Sequence, residues 1–455
     1  MGVSLVVSGV GQADDTGLFS NDIFKLMHLL QLAMDYCKKF NVTLSSSKTK
    51  LLLVQPARKP TFVPYNPIMI DGVEVQFVDQ AEHVGVIRST TGNMPNLLQR
   101  ISAFKKALGS VISCGLARGR RTNPSASLRI LTIYGTPVLM SGLASQVLSA
   151  KEVAIIDQQF KRTLQNILKL SVNSPSAVVY FVAGSLPATA LLHLRQISLF
   201  AMICRLPGDP LNLHAQQVLL TSSSAGHSWF TQVRNLLLMY QLPHPLNLLA
   251  NPPAKESFKK LVKAKVTDYW ETKLRLEASF LPSLPYFCPE FLSLTSTHRL
   301  WTSAGNKSYE VAKARIQLLF LCSQYPCAKL TRHWSSDNSL GLCSFPSCRE
   351  NNIVESPEHV LLHCPAYILT RQRMFSMCFK LPNKVSLTLI ANILYKSSNQ
   401  KLMQLLLDCS VIPEVIASSQ SHGEQVLSDL FYFSRMWCFS VHQERMKRLG
   451  KWNFR

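Results

Sequence analysis

Residues 4–20 read SLVVSGVGQADDTGLFS, and the fold of the N-terminal part turns on how this stretch is parsed. The apolar run Ser4 to Val10 has the composition of a short buried strand, Gly11 to Thr16 that of a tight turn, and Gly17 to Ser20 that of a returning strand. Two adjacent acids, Asp14 and Asp15, then sit at the tip of a hairpin.

Working outward, Asn21 or Asp22 can cap a helix whose apolar positions Ile23, Met27, Leu30, Met34 and Cys37 recur at helical spacing, so this helix should cover one face of a sheet. The Ser45-Ser46-Ser47 turn leads into Leu51-Leu52-Leu53-Val54. Asp71-Gly72, a strong hairpin signal, splits Ile68 to Phe77, and His83 to Ile87 supplies a further strand. Past Thr91 the pattern is helical almost throughout, as in Lys151 to Leu170 with its stripe of Val153, Ile156, Phe160, Leu164 and Ile167. Prolines 207, 210, 243, 245, 252 and 253 predict a loose connection over residues 206–256, and a second break covers 282–289.

The chain has 455 residues, enough for two to four domains. Its 48 Lys and Arg against 26 Asp and Glu give a net charge of +22, which favours a polyanionic partner, nucleic acid first, over a merely basic surface. Twelve cysteines occur behind an apolar start, Val3 to Val10, that lacks a basic leader and runs into acids, so a non-secreted protein in a reducing compartment is expected. The longest uncharged apolar run, Ala177 to Leu192, is broken by Pro187, so no membrane span is expected.

The strongest chemical signal is Cys343-x4-Cys348-x10-His359-x4-Cys364, thiolates and an imidazole at spacings suited to tetrahedral zinc. His363 could substitute for His359, and the polar stretch Arg349 to Glu358 offers little core to bury free cysteines. Basic clusters accompany it. Arg118, Arg120 and Arg121 could grip phosphates or form a solvated loop. Lys259, Lys260, Lys263 and Lys265 suit a backbone groove or an exposed helix face. Arg332, Arg371 and Arg373 flank the cysteine cluster, with Trp334 either stacking on a base or packing inward. Arg435, His442 and Arg445 lie roughly on one face of a final helix, as a phosphate-binding surface or a basic helix end.

Gln12-Ala13-Asp14-Asp15 resembles the Tyr-Ala-Asp-Asp motif of reverse transcriptases, with Gln12 in place of the aromatic residue. Leu44 to Leu51 resembles the following Asn-Pro-Ser-Lys-Thr motif, and His83-Val84-Gly85-Val86 looks like the Tyr-Leu-Gly-Val strand of the primer grip. In order and spacing, and together with a cysteine-histidine tail, these motifs are similar to the C-terminal part of non-LTR retrotransposon reverse transcriptases. The resemblance implies an α+β fold: a partial palm with an antiparallel sheet and primer-grip strands over residues 1–90, then a helical thumb over 91–205. A linker and helical region over 206–310, a zinc-knuckle module over 311–380 and a basic helical tail over 381–455 would follow.

It also implies that Asp14 and Asp15 hold magnesium for RNA-directed DNA synthesis from dNTPs on an RNA template and DNA primer. Lys48 would then assist pyrophosphate departure, and Gly85 would lie in the primer grip. The family needs a further palm aspartate upstream of the Asp-Asp hairpin, together with fingers, and only thirteen residues precede Asp14. The chain alone is therefore expected not to polymerise. A second reading is a non-catalytic, zinc-dependent RNA- or DNA-binding protein derived from a retroelement. Location in cytoplasm or nucleus is what the family implies.

Overall fold

The computed structural model describes residues 9–12, 15–54, 67–113, 122–222, 228–331, 341–379, 381 and 383–450. It is mostly helical, and its contacts divide it into two units between which the chain passes several times. The first unit takes residues 1–106, 136–156 and 189–266, and the second takes 107–135, 157–188 and 267–455.

In the first unit, strands Gly9–Gln12 and Asp15–Leu18 pair antiparallel with Gln12 opposite Asp15. The reversal is thus tighter than the six-residue turn expected, and Asp15 begins the returning strand; Asp14 lies outside the described residues. Asp22 caps the helix Ile23–Lys39, its carboxylate accepting the Phe24 N–H at 2.9 Å. Ile23, Leu30 and Met34, together with Leu44 and Leu51, pack on a small core of Ile68, Ile70 and Val75. That core belongs to the hairpin Met69–Ile70/Val73–Glu74, where Asp71 and Gly72 have φ of +49° and +77°, the two left-handed residues of the expected turn.

The expected strand His83 to Ile87 is instead a reversal. Strands Gln80–His83 and Val86–Ser89 pair antiparallel, and Val84 and Gly85 between them have φ of +52° and +72°. Lys50–Leu51 pairs with Gln76–Phe77 in parallel. Among the described residues the strands thus form four separate two-stranded ladders, not one antiparallel palm sheet. Strands of two to four residues, three of the four pairs being hairpins, leave little length for wider pairing.

Residues 206–256 are not a loose connection. Helices Pro210–Thr221, Trp229–Met239 and Pro245–Ala250 occupy them. Pro210 and Pro245 stand in first turns, where a missing N–H is no loss, and Asp209 caps the first helix by accepting the Leu211 N–H at 2.8 Å. These two prolines therefore start helices here.

In the second unit the helix Glu424–Arg448 is the central pillar, with Ser308–Leu321, Ile368–Cys378, Lys384–Lys396, Asn399–Leu407 and Pro413–His422 packed around it. Val426, Leu430, Phe431, Trp437, Cys438 and Val441 are buried, each worth about 1.5–3 kcal/mol for the large apolar side chains. This helix is the core of the unit. The apolar helix Ser176–Ala183 is buried from Ala177 to Ala183. It ends on Gly184 at φ +62°, where any Cβ would lie 2.1 Å from the Ser296 backbone. No single described helix is long and apolar enough to cross a membrane.

Candidate metal centre

The four residues of the cysteine-histidine pattern converge from three local devices. Cys343 lies on a short hairpin: Leu342 bridges Val354, the Cys343 N–H donates to the Ile353 carbonyl at 2.8 Å, and the Glu355 N–H donates to Gly341 at 2.9 Å. Cys348 sits on the helix Pro346–Glu350, after which Asn352, at φ +53°, reverses the chain so that the Ile353 N–H reaches the Cys348 carbonyl at 2.9 Å. His359 opens a wide helical turn to His363, and the Cys364 N–H closes it onto the His359 carbonyl at 2.7 Å.

All four residues are buried, and one ligand atom from each lies within 4.8 Å of every other. The sulfurs of Cys343 and Cys364 are 3.8 Å apart. A disulfide would bring them to about 2.05 Å. Zinc–sulfur bonds of about 2.3 Å at a tetrahedral angle give an edge of about 3.8 Å. The Nε2 of His359 is buried without a hydrogen-bond partner, a cost of about 1–3 kcal/mol that a metal bond would remove. His363 is exposed, and its ring nitrogen meets Asn399 at 3.1 Å and Glu358 at 3.4 Å. His359, not His363, therefore completes the set, and a buried Cys3His group could hold a metal such as zinc.

The electrostatics agree. The Cys364 thiol donating to Cys343 holds the Cys343 thiol down at about 4, while Cys364, left holding the proton they share, is pushed up. Burial raises Cys348. A divalent cation would displace these protons and let all three sulfurs ionise.

The centre is tied to the pillar helix. Arg445 donates from Nε and Nη2 to the Glu355 carboxylate at 3.1 and 2.9 Å, both side chains being buried, and Glu355 also accepts the Ala328 N–H at 2.6 Å. Trp437 donates from its indole to the Leu361 carbonyl at 3.2 Å. Arg371 donates to the Cys364 carbonyl at 2.8 Å.

These contacts correct several sequence expectations. Arg435, His442 and Arg445 do not form a phosphate-binding face, because all three are buried in the pillar helix. Arg435 is spent on Glu310 and on Ser303, whose hydroxyl lies at 2.7 Å. His442 Nδ1 lies 2.9 Å from the Tyr325 hydroxyl, and Arg445 holds Glu355. Arg371 is half-buried against the metal loop, so it braces that loop instead of facing solvent. Arg373, Lys259, Lys260 and Lys263 are exposed, as either of their readings requires.

Lys48 is exposed in the turn that follows Ser45, and the Gly85 carbonyl accepts from Arg100 at 2.6 Å. Asp14, Arg118, Arg120, Arg121 and Arg332 lie outside the described residues, as does Trp334. Glu355 and Tyr325 went unremarked in the sequence, since their partners stand 90 and 117 positions away and no local pattern links them. Neither the protein-family models, the curated proteins nor the solved structures compared with this chain match it.

Proposed function

We propose that the chain is the C-terminal portion of a non-LTR retrotransposon-type reverse transcriptase that, by itself, acts as a zinc-dependent nucleic-acid-binding protein. The observation that carries this reading is the buried Cys3His set at tetrahedral spacing, built into a strongly basic chain. Cys343, Cys348, His359 and Cys364 would hold zinc, whose binding energy becomes folding energy for a loop with little apolar core. Exposed cations such as Lys259, Lys260, Lys263 and Arg373 would meet phosphates and release counterions, which makes binding steeply salt-dependent.

The polymerase ancestry rests on the order of hairpin, helix, lysine turn and hairpins. In a completed palm Asp14 and Asp15 would bind magnesium, with Lys48 near the nucleotide. Among the described residues the Gly9–Leu18 hairpin pairs only with itself, which favours binding without catalysis for this chain alone.

The test combines zinc stoichiometry, anisotropy with labelled RNA, and primer extension with dNTPs and magnesium. One zinc per chain, salt-sensitive RNA binding that a chelator abolishes, and no nucleotide incorporation support the proposal. Absence of zinc removes it. Incorporation that Asp15→Asn abolishes replaces it with an active polymerase.

A further inference from the structure

From Glu358 the chain runs to Asp408 without one acidic residue, while Arg371, Arg373, Lys380, Lys384, Lys396 and Lys401 all fall within that stretch. About half of it is two helices, Ile368–Cys378 and Lys384–Lys396, that pack on each other and on the pillar helix. The first buries Met374 and Cys378 and turns Arg371 toward Cys364.

At 100° per residue its opposite arc carries Ile368, Leu369, Arg373 and, just past the last turn, Phe379. These apolar side chains are far out in solvent: Leu369 is 64% exposed and Phe379 75%. On the second helix Tyr395 is 83% exposed beside the exposed Lys396.

Only five residues, 379–383, separate the two packed helices in sequence, a length that joins antiparallel neighbours. Tyr395 therefore stands at the end where Leu369 leaves the metal loop, an end pinned by the Asn399–His363 hydrogen bond at 3.1 Å. Phe379 stands at the other end, about 15 Å along the helix. Aromatic rings at both ends, cations beside them and no carboxylate in the segment suit a strand whose bases are free to stack and whose backbone is anionic. A duplex hides its bases from such rings, and a protein partner would not need the segment cleared of acids.

We propose that this two-helix face behind the metal centre is a single-strand platform, on which Phe379 and Tyr395 stack unpaired bases while Arg373 and Lys396 hold the phosphates. It deepens the nucleic-acid reading above and rests on it. The experiment is anisotropy of the zinc-loaded full chain with a labelled oligouridine and, separately, with a blunt duplex of equal length. Phe379→Ala and Tyr395→Ala alter exposed side chains, so folding should be spared, and circular dichroism checks this.

Each substitution is expected to weaken oligouridine binding about tenfold and to leave duplex binding unchanged. Arg373→Ala should lower the salt slope for the single strand by about 0.7. Oligouridine affinity unchanged in both aromatic variants overturns the platform while leaving the binding function intact. Wild-type chain that binds neither probe overturns both. A wild-type dimer in sedimentation that Phe379→Ala converts to monomer, without an effect on oligouridine, assigns the face to a second copy and overturns the proposal.

Discussion

Arg445→Met is the sharpest test of how the metal loop is held. The substitution keeps the bulk of the stem and removes the guanidinium, so Glu355 loses hydrogen bonds of 3.1 and 2.9 Å and keeps the Ala328 amide at 2.6 Å. The carboxylate side chain is 4% exposed and cannot recruit bulk water. Stranding one member of such a pair costs about 3–5 kcal/mol. Loss of the guanidinium from over the Tyr325 ring, 5.4 Å from its centroid, adds about 0.5–1 kcal/mol.

In a domain of roughly 150–250 residues each kcal/mol moves the midpoint about 2–4 °C, so a drop of about 7–24 °C is expected in thermal unfolding with saturating zinc. The double variant Glu355→Gln/Arg445→Met removes both charges and should recover at least about 1 kcal/mol of that loss. Glu355 also pairs its N–H with Gly341 on the hairpin that carries Cys343, so zinc capture by a chromophoric chelator should quicken in the single variant. A loss below about 1 kcal/mol, as for a surface pair, or a double variant no better than the single, would refute the reasoning.

Further outcomes follow from individual residues. His359→Ala should lower zinc affinity by more than about 100-fold while His363→Ala leaves it unchanged, measured by competition with a chromophoric chelator; equal losses would reopen the choice of ligand. Burial, and then the charge of Arg445, pushes His442 down to about 4 from an ordinary 6.5, so the folded state prefers it neutral. Its contribution is full above pH 6.5, falls as the unfolded chain takes up the proton below that, and levels off near pH 4, about 3 kcal/mol in all. His442→Gln should flatten that part of the urea-stability profile, and an unchanged slope would exclude the histidine as its source. Val84 is a β-branched residue at φ +52° in an exposed two-residue turn, so Val84→Asn should stabilise by about 1 kcal/mol in urea denaturation; a destabilised variant would show that the turn is not what limits the hairpin.

The features legible in the sequence are those whose signal is local. Asp22 is a cap because a carboxylate two residues before the Phe24 N–H needs no distant partner, and Asp71-Gly72 is a turn because its chemistry suits left-handed backbone. The ligand set was legible because thiolates and imidazole have few structural uses at such spacing, although choosing His359 over His363 required knowing which ring is buried. Val84-Gly85 reads as strand interior because a β-branched residue rarely accepts a positive φ, so the sequence argues against the conformation it adopts. Prolines 210 and 245 read as breakers in a run of six, yet the same ring is favourable at a first helical position, and only Asp209 ahead of Pro210 hints at it.

The pillar helix shows the limit of pattern reading most clearly. Arg435, His442 and Arg445 share a face, and a charged face on a terminal helix is normally wet. Here the buried arc is wide: Leu430, Phe431, Phe433, Trp437, Cys438 and Val441 cover about 160° of the circumference, Arg435, His442 and Arg445 are buried beside them, and a narrow strip that includes Gln425, Tyr432 and Gln443 is left exposed. Arg435 and Arg445 are then interior and must be matched, and the matching acids, Glu310 and Glu355, come from distant segments that the helix could not advertise. The functional consequence is a redistribution of charge. Cations spent on internal pairs cannot contact a polyanion, so any phosphate-binding surface among the described residues must be sought on exposed groups such as Lys259, Lys263, Arg373 and Lys396. The Arg445–Glu355 pair serves the metal loop instead, holding it against the helix on which Ser308–Leu321, Ile368–Cys378 and Asn399–Leu407 also pack.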